Sequence, residues 1–438
     1  MDILISVGQL LLSLSFLVAV HELGHLLAAK FFGMRVEQFS IGFPPKLWSF
    51  RKGETEYAVS AIPLGGYVKI SGMIDESLDT EAMKEPPKPY EFRSKPAWQR
   101  LIVMLGGIAV NVVVGILIFI CLTYFMGDLY FSKDEINRAG KVEIGPLAKD
   151  LGFQDGDKIV KINGKDFYDY FDVLRPDNLI ASNASFTVDR GGQLVEIPVP
   201  DDFIERLKKD AEFIRFRLPA EVGHIKPGSI ADKVGLQEGD RIIEVQGQKI
   251  EYWDDVPRAI KESEGKDNNK VSFAVMRDGQ LLRFEEEFDA DRVIGFSPKA
   301  QVVVNYSIIQ SIGVGTREAF TTLYTQIMAF GKILRGEISF QKNISGPIGM
   351  AQFYGPKWEW PRFWTITGLL SLVLAFMNLL PIPALDGGHV MFLTFEMVSG
   401  RKPSDKFLET AQKVGMVFLL ALMVFIFAND IIKIFTVN

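Results

Sequence analysis

Four uncharged apolar runs most narrow what this chain can fold into: residues 3–20, 101–126, 363–385 and, shorter, 414–429. A helix needs roughly 20 mostly apolar residues to cross a bilayer core. The first three runs meet that length, and the fourth reaches it if Lys413 and Lys433 snorkel at its ends. The remaining sequence is not membrane-like. With 23% charged residues and a mean hydropathy of +0.15, the chain reads as part embedded and part globular. The first run is not expected to be a cleaved leader, because Asp2 is its only early charge and no small-x-small signal ends it. A net charge of −6 argues against a nucleic-acid surface. The single Cys121 excludes an internal disulfide and a multi-cysteine zinc site.

Charge asymmetry gives the orientation. Segment 30–97 carries Lys30, Arg35, Lys46, Arg51, Lys52 and Lys69, and segment 398–413 carries Arg401, Lys402, Lys406 and Lys413. Both basic loops are expected to face the cytoplasm. Segment 127–362 and both termini then lie on the other side.

That long segment contains a repeat. PLAKDLGFQDGDKIVKINGKDF at 146–167 aligns with SIADKVGLQEGDRIIEVQGQKI at 229–250, and SFTVDRGGQL at 185–194 aligns with SFAVMRDGQL at 272–281. Two matched blocks in one order imply a duplicated small domain. Gly-Asp predicts a tight turn, the Ile/Val runs predict strands, and Asn163-Gly164 and Gln246-Gly247 predict hairpins. The pattern resembles the PDZ domain, a small β-sandwich that takes a peptide strand at its edge; a pair of rigid spacers is the alternative. Downstream, Ile308, Ile312, Phe320, Leu323, Ile327, Phe330 and Leu334 recur at helical spacing among Arg317, Glu318 and Gln326. This predicts an amphipathic helix lying against the outer membrane surface.

The chemistry is concentrated at His21-Glu22-Leu23-Gly24-His25, which continues the first apolar run. At i and i+4, two imidazoles share one helix face and can hold one Zn²⁺, with the Glu between them as general base. A catalytic zinc takes three protein ligands. The third run ends Asn378-Leu-Leu-Pro381-Ile-Pro383-Ala-Leu385-Asp386-Gly387-Gly388-His389, where Pro and Gly break the helix. Broken backbone at membrane depth is tolerated where protein or water satisfies it. Asp386 is the preferred third ligand and His389 the rival.

HExxH in a first span with N-x-x-P-x-P-x-L-D-G in a late one resembles the site-2 protease family of intramembrane zinc metalloproteases. Tandem PDZ-like domains between spans two and three resemble its bacterial regulator-of-sigma-E protease branch. The resemblance implies a zinc endopeptidase in a bacterial inner membrane, with His21, His25 and Asp386 on one Zn²⁺ and Glu22 as catalytic acid/base. Its substrates would be single-span membrane proteins, such as anti-sigma factors or remnant signal peptides. The PDZ pair would face the extracytoplasmic side, binding a peptide or acting as a size filter. Gly65, Gly66, Tyr67, Val68 and Lys69 resemble the family's membrane-re-entrant β-hairpin, read here as strand 57–62, a Gly65-Gly66 turn and a return strand 67–70 that offers an edge to substrate. Gly107-x-x-x-Asn111 resembles the family's second-span motif, with Ile108 where Pro is common. Asn378 and Asn111 are further candidates for substrate contact.

The expected fold is therefore a polytopic α-helical membrane protein with four transmembrane helices, two extracytoplasmic PDZ-like β-rich domains and a membrane-associated β-hairpin. Its expected divisions are 1–29 (first span with the motif), 30–97 (re-entrant hairpin region), 98–127 (second span), 128–215 and 216–300 (PDZ-like domains), 301–361 (membrane-surface helices), 362–397 (third span) and 398–438 (fourth span). A transporter would also bury His, Glu and Asp in a membrane but usually shows more broken spans. A pseudo-protease would usually lack a ligand or the Glu.

Overall fold

The computed structural model describes residues 2–436 apart from 74–85, 180–182, 201, 204–205, 208–212, 266–268, 289–293, 338, 340 and 342–345. The chain divides into two units, Met1–Met126 with Tyr306–Asn438, and Gly127–Asn305.

The first unit is a helical bundle with one sheet. Its helices are α1 (Asp2–Phe31), α2 (Ala97–Met126), α3 (Ile308–Leu334), α4 (Pro347–Tyr354), α5 (Trp360–Leu379), α6 (Asp386–Ser399) and α7 (Asp405–Thr436). Among the described residues, four helices are long and apolar enough to cross a membrane: α1, α2, α5 and, within α7, Lys406–Lys433. The fourth apolar run is thus the middle of a 32-residue helix, and the third ends at Leu379 because the two prolines beyond it cannot continue the ladder.

Helices α1 and α2 touch backbone to backbone. A Cβ on Gly24 would lie 2.3 Å from the Gly106 carbonyl oxygen, and one on Gly106 would lie 2.7 Å from the Gly24 oxygen. Small residues at both positions are what permit this crossing. Helix α5 packs on both: Gly115 of α2 meets Leu372, Gly368 meets Ile118 and Phe119, and Thr367 donates to Ser13 of α1 at 3.0 Å.

Helix α3 starts at a capping box of Ser307 and Gln310. It does not lie free along a surface. Gly315 rests on the backbone of Phe119 and Ile120 near one end of α2, and Phe330 meets Phe376 edge-on at 5.6 Å near the other end of the bundle. Gly315 and Phe330 therefore serve a helix that leans along α2 and α5.

The sheet is built from β1 (Val36–Lys52) and β2 (Thr55–Ile70), joined at Gly53-Glu54. The chain does reverse between Ser60 and Gly66, because 56–59 runs parallel to 38–41 while 66–70 runs antiparallel to it, but Gly65 and Gly66 form no two-residue turn: both lie inside β2. Residues 46–52 pair with 55–60, residues 36–41 pair with 66–70, and 38–41 also face 56–59. The return strand thus partners the start of β1 and not strand 57–62. The glycines answer a packing demand: a Cβ on Gly65 would sit 2.3 Å from the Phe43 ring, and one on Gly66 2.7 Å from the Ser40 oxygen and 3.0 Å from Val18.

The second unit is the repeat. Its strands are β3 (Asp128–Phe131), β4 (Lys141–Ile144), β5 (Lys158–Ile162), β6 (Lys165–Asp166), β7 (Ser185–Arg190), β8 (Gln193–Pro198), β9 (Ile214–Arg217), β10 (Val222–Ile225), β11 (Arg241–Val245), β12 (Gln248–Lys249), β13 (Lys270–Arg277), β14 (Gln280–Glu287), β15 (Phe296–Pro298) and β16 (Gln301–Val304). Two four-stranded sheets share one order, β6-β5-β7-β8 and β12-β11-β13-β14. Each has a satellite pair, β4-β9 and β10-β15, while β3-β16 joins the ends of the unit. Because β9 runs to Arg217, the first copy extends two residues beyond 128–215.

The repeated residues make matching contacts. Arg190 holds Asp157 through two hydrogen bonds of 2.8 Å, and Arg277 holds Asp240 at 2.7 and 2.6 Å. Each Arg also donates to a turn carbonyl, Gly152 or Gly235. Burial alone would raise the Asp157 pKa; the Arg190 guanidinium and the Gln154 amide outweigh it and hold the carboxyl below its ordinary value.

Candidate metal centre

Helix α1 carries the motif without interruption, so His21 and His25 share one face. That face meets α2, and a single stripe of α2 serves both rings. The Val103 carbonyl lies 2.8 Å from His25 Nδ1, Gly107 leaves room for the two imidazoles, and Asn111 Nδ2 lies 3.2 Å from His21 Nδ1. These three positions are spaced i, i+4, i+8. The Val103 carbonyl must accept from His25 Nδ1–H, which leaves Nε2 as the lone-pair nitrogen. Among the described residues, Asn111 Oδ1 is buried with no hydrogen-bond partner. Exchanging the two ends of that amide lets Oδ1 accept from His21 Nδ1–H and gives His21 the same tautomer.

Asp386 arrives from the other side of the bundle. The backbone breaks over 380–385 and restarts as α6 with Asp386 as its first residue. Helix α7 braces the break: a Cβ on Gly415 would lie 2.0 Å from the Pro383 oxygen, and Gln412 accepts from the Ala384 amide at 3.3 Å. Ala384 holds a left-handed φ of 77°, which is costly for a residue with a side chain.

Three ligand atoms converge. Asp386 Oδ2 is 3.0 Å from His21 Nε2 and 3.3 Å from His25 Nε2, and the two Nε2 atoms are 3.2 Å apart. Among the described residues, this is the one group of three or more His, Cys, Asp or Glu side chains able to share a metal ion. Tetrahedral zinc with bonds of about 2.1 Å separates its ligands by about 3.4 Å. Asp386 Oδ2 is buried and makes no hydrogen bond of good geometry. With Nε2 the lone-pair nitrogen of both rings, none of the three atoms can donate to another, and three acceptors facing one point fit a cation there.

These groups line a cavity of about 710 Å³. Glu22, Asn378 and residues 65–70 share its walls, with His389 and Gln412. Glu22 receives a hydrogen bond from the Val68 backbone, and its Cγ lies 3.7 Å from where a Gly66 Cβ would stand, so the edge of β2 runs past the carboxylate. Asn378 Nδ2 is 3.3 Å from His21 Nε2. Asn111 is 0% exposed and stands behind His21, so it faces a ligand side chain and not the cavity. Sequence reasoning missed the bracing of the break by Gln412 and Gly415, because a Gln and a Gly in an apolar helix carry no motif.

The sequence profile of peptidase family M50 matches residues 9–422. The chain is 28% identical over 453 residues to the regulator of sigma-E protease RseP of Escherichia coli, covering 97% of each chain. It is 28% identical over 459 residues to the regulator of sigma E protease of Haemophilus influenzae, covering 99% of this chain and 100% of that one. A protein of Neisseria meningitidis whose name describes a zinc metalloprotease is 28% identical over 447 residues, covering 95% and 96%.

Proposed function

The chain belongs to peptidase family M50, a zinc metalloprotease, and from that premise we propose that it hydrolyses peptide bonds within or near the transmembrane helices of single-span membrane proteins. One observation carries the reading: His21, His25 and Asp386 converge on one point, in a cavity shared with Glu22 and the edge of a strand.

His21 Nε2, His25 Nε2 and Asp386 Oδ2 would hold the zinc. Bound there, zinc supplies Lewis acidity toward a carbonyl oxygen and lowers the pKa of water. Glu22 takes a proton from the attacking water and returns it to the departing amine nitrogen. A substrate helix must unwind before its carbonyls can be reached, and its freed backbone groups then need partners. The edge at 65–70 supplies a strand to pair with, and the Asn378 amide supplies a donor beside the ligand cluster.

We read the two repeats as PDZ-like domains, supported by their shared strand order and their Gly-Asp turns. They act as a size filter that rejects substrates still carrying a bulky outer domain. The basic loops support a cytoplasmic position for residues 30–97 and, with it, an extracytoplasmic one for the repeats. The relatives named for sigma-E regulation point to a trimmed anti-sigma factor as one substrate class.

The test pairs zinc content with cleavage of a single-span substrate in detergent, for wild type and Glu22→Gln. The expected result is about one zinc in each protein, with cleavage reduced at least about a hundredfold in the variant. Equal cleavage by both would refute the role of Glu22, and absence of zinc from both would refute the ligand set.

A further inference from the structure

A second cavity, of about 360 Å³, opens at the end of α1 that follows the motif. It is lined by Lys30, Gly33, Met34, Arg35, Glu54 and Tyr90. Gly33 forms a bare floor: its φ of +64° ends the helix, and among the described residues the one atom within 4 Å of where a Cβ would stand is Lys95 Nζ, at 4.0 Å. Three cationic side chains, Lys30, Arg35 and Lys95, thus gather around Gly33. Among the described residues, none of the three has a carboxylate within 4.0 Å.

Their present contacts are weak for charged groups. Lys30 donates to the Tyr57 hydroxyl at 3.4 Å and stands 5.8 Å from that ring. The Arg35 guanidinium lies 5.6 Å from the Tyr90 ring, and its Nε is buried without a hydrogen-bond partner. A buried guanidinium donor left unpaired is expensive, and three like charges around one hollow repel one another. One anion removes both costs.

The surroundings indicate where the anion comes from. Phe31 is 82% exposed and Trp98 is 48% exposed, each one to three residues from a cation of the hollow. Phe32 links them, edge-on to Phe31 at 5.0 Å and to Trp98 at 5.4 Å. Exposed aromatic rings beside lysines at the end of an apolar helix mark the level of lipid headgroups. A soluble phosphate has no use for that apolar apron; an acyl chain does.

We propose that this hollow binds the headgroup of an anionic glycerophospholipid. The phosphodiester sits over Gly33, accepting from Arg35 Nε and facing Lys30 and Lys95. Glu54, on the remaining wall, accepts from a headgroup hydroxyl, as in phosphatidylglycerol. Three cations against one carboxylate favour an anionic lipid over a zwitterionic one. The lipid would fix the end of the helix that carries His21 and His25, although the proposal does not depend on protease activity.

The test is native mass spectrometry of the full chain released from detergent, after incubation with equal amounts of phosphatidylglycerol, phosphatidylethanolamine and phosphatidylcholine. The expected result is preferential retention of phosphatidylglycerol. Lys95→Gln and Arg35→Gln should each weaken it about fivefold, with Arg35→Lys between Arg35→Gln and wild type. Arg51→Gln, outside the hollow, should change nothing. Lys95 uses only its side chain here, so Lys95→Gln carries the test if Arg35→Gln does not fold. Equal retention of all three lipids, or retention unchanged in Lys95→Gln, would overturn the proposal. Displacement of bound lipid by millimolar inorganic phosphate would assign the hollow to a soluble anion, and preferential retention of phosphatidylethanolamine would assign it to a zwitterionic headgroup.

Discussion

Gly107 is the position where the smallest possible substitution should do the most damage to the metal centre. A Cβ added there would lie 2.5 Å from His25 Nε2, 2.7 Å from His21 Cε1 and 2.8 Å from His21 Nδ1. Ordinary van der Waals contact begins at 3.4 Å, so His25 must retreat by about 0.9 Å (3.4 − 2.5). The rings have little freedom to do so. His25 Nδ1 is tied to the Val103 carbonyl on the same helix as Gly107, and α1 cannot back away without opening the Gly24–Gly106 crossing. A displacement of that size takes the ligands out of tetrahedral distance. Disturbing what orients zinc ligands typically costs 10–100-fold in affinity, about 1.4–2.7 kcal/mol. Gly107→Ala should therefore weaken zinc binding by about that factor in a chelator-competition assay, with thermal stability measured alongside. Gly8→Ala, also in an apolar helix but with nothing within 4 Å of the new Cβ, should leave zinc affinity unchanged. If Gly107→Ala binds zinc as tightly as wild type and is equally stable, the two histidines do not occupy their described places.

Three more perturbations test separate parts. Asn111→Leu should lower zinc affinity about 10–100-fold while leaving KM for substrate unchanged; a raised KM at unaltered zinc affinity would instead return Asn111 to the substrate. Gly66→Val, which drives a side chain toward the Ser40 carbonyl and Val18, should cost about 1–3 kcal/mol of local packing and abolish cleavage while zinc content holds, so full cleavage would remove the β2 edge from the reaction. Asp157→Asn should destabilise the first repeat at pH 7 by about 1.5–3 kcal/mol by breaking the paired bonds to Arg190. The folded Asp157 pKa lies below its unfolded value of about 3.9, so its contribution is complete above that pH and fades as pH falls through the depressed value. The stability gap between wild type and Asp157→Asn should close in acid, and a gap that widens below pH 4 would contradict the pairing.

The two parts of the candidate metal centre were legible in the sequence because each is a local pattern. HExxH needs only a helix to bring two imidazoles together, and a Pro-rich break ending in Asp supplies a carboxylate at membrane depth. The repeat was legible because its Gly, Asp and Arg positions make the same contacts in both copies. The strand pairing in segment 36–70 was not. Gly65-Gly66 has the composition of a turn, and only the rings and carbonyls packed against it show that the glycines are there for close approach. The packing partners of helix α3 were hidden for a related reason. Its periodicity marks one apolar face, and periodicity does not distinguish a bilayer surface from the flank of two other helices.

The proposed third ligand shows what the sequence motif leaves out. Pro381 and Pro383 end the α5 ladder, and close packing replaces it: a Cβ on Gly387 would lie 2.1 Å from the Leu380 oxygen, and one on Gly388 2.7 Å from the Ile382 oxygen. Helix α7 braces the break from outside. Gly415 allows that helix to press on the Pro383 carbonyl, and Gln412 satisfies the Ala384 amide while Ala384 is held at a left-handed φ. Strain of this kind persists only where surrounding contacts impose it. At its other end, Asp430 of the same helix accepts from the amides of Gly346, Ile348 and Gly349 at the start of α4. One helix therefore braces both the break that carries Asp386 and the start of α4, which packs on α1, the helix that carries His21 and His25. The two halves of the ligand set are far apart in sequence, and α7 is the element whose displacement would move one half relative to the other.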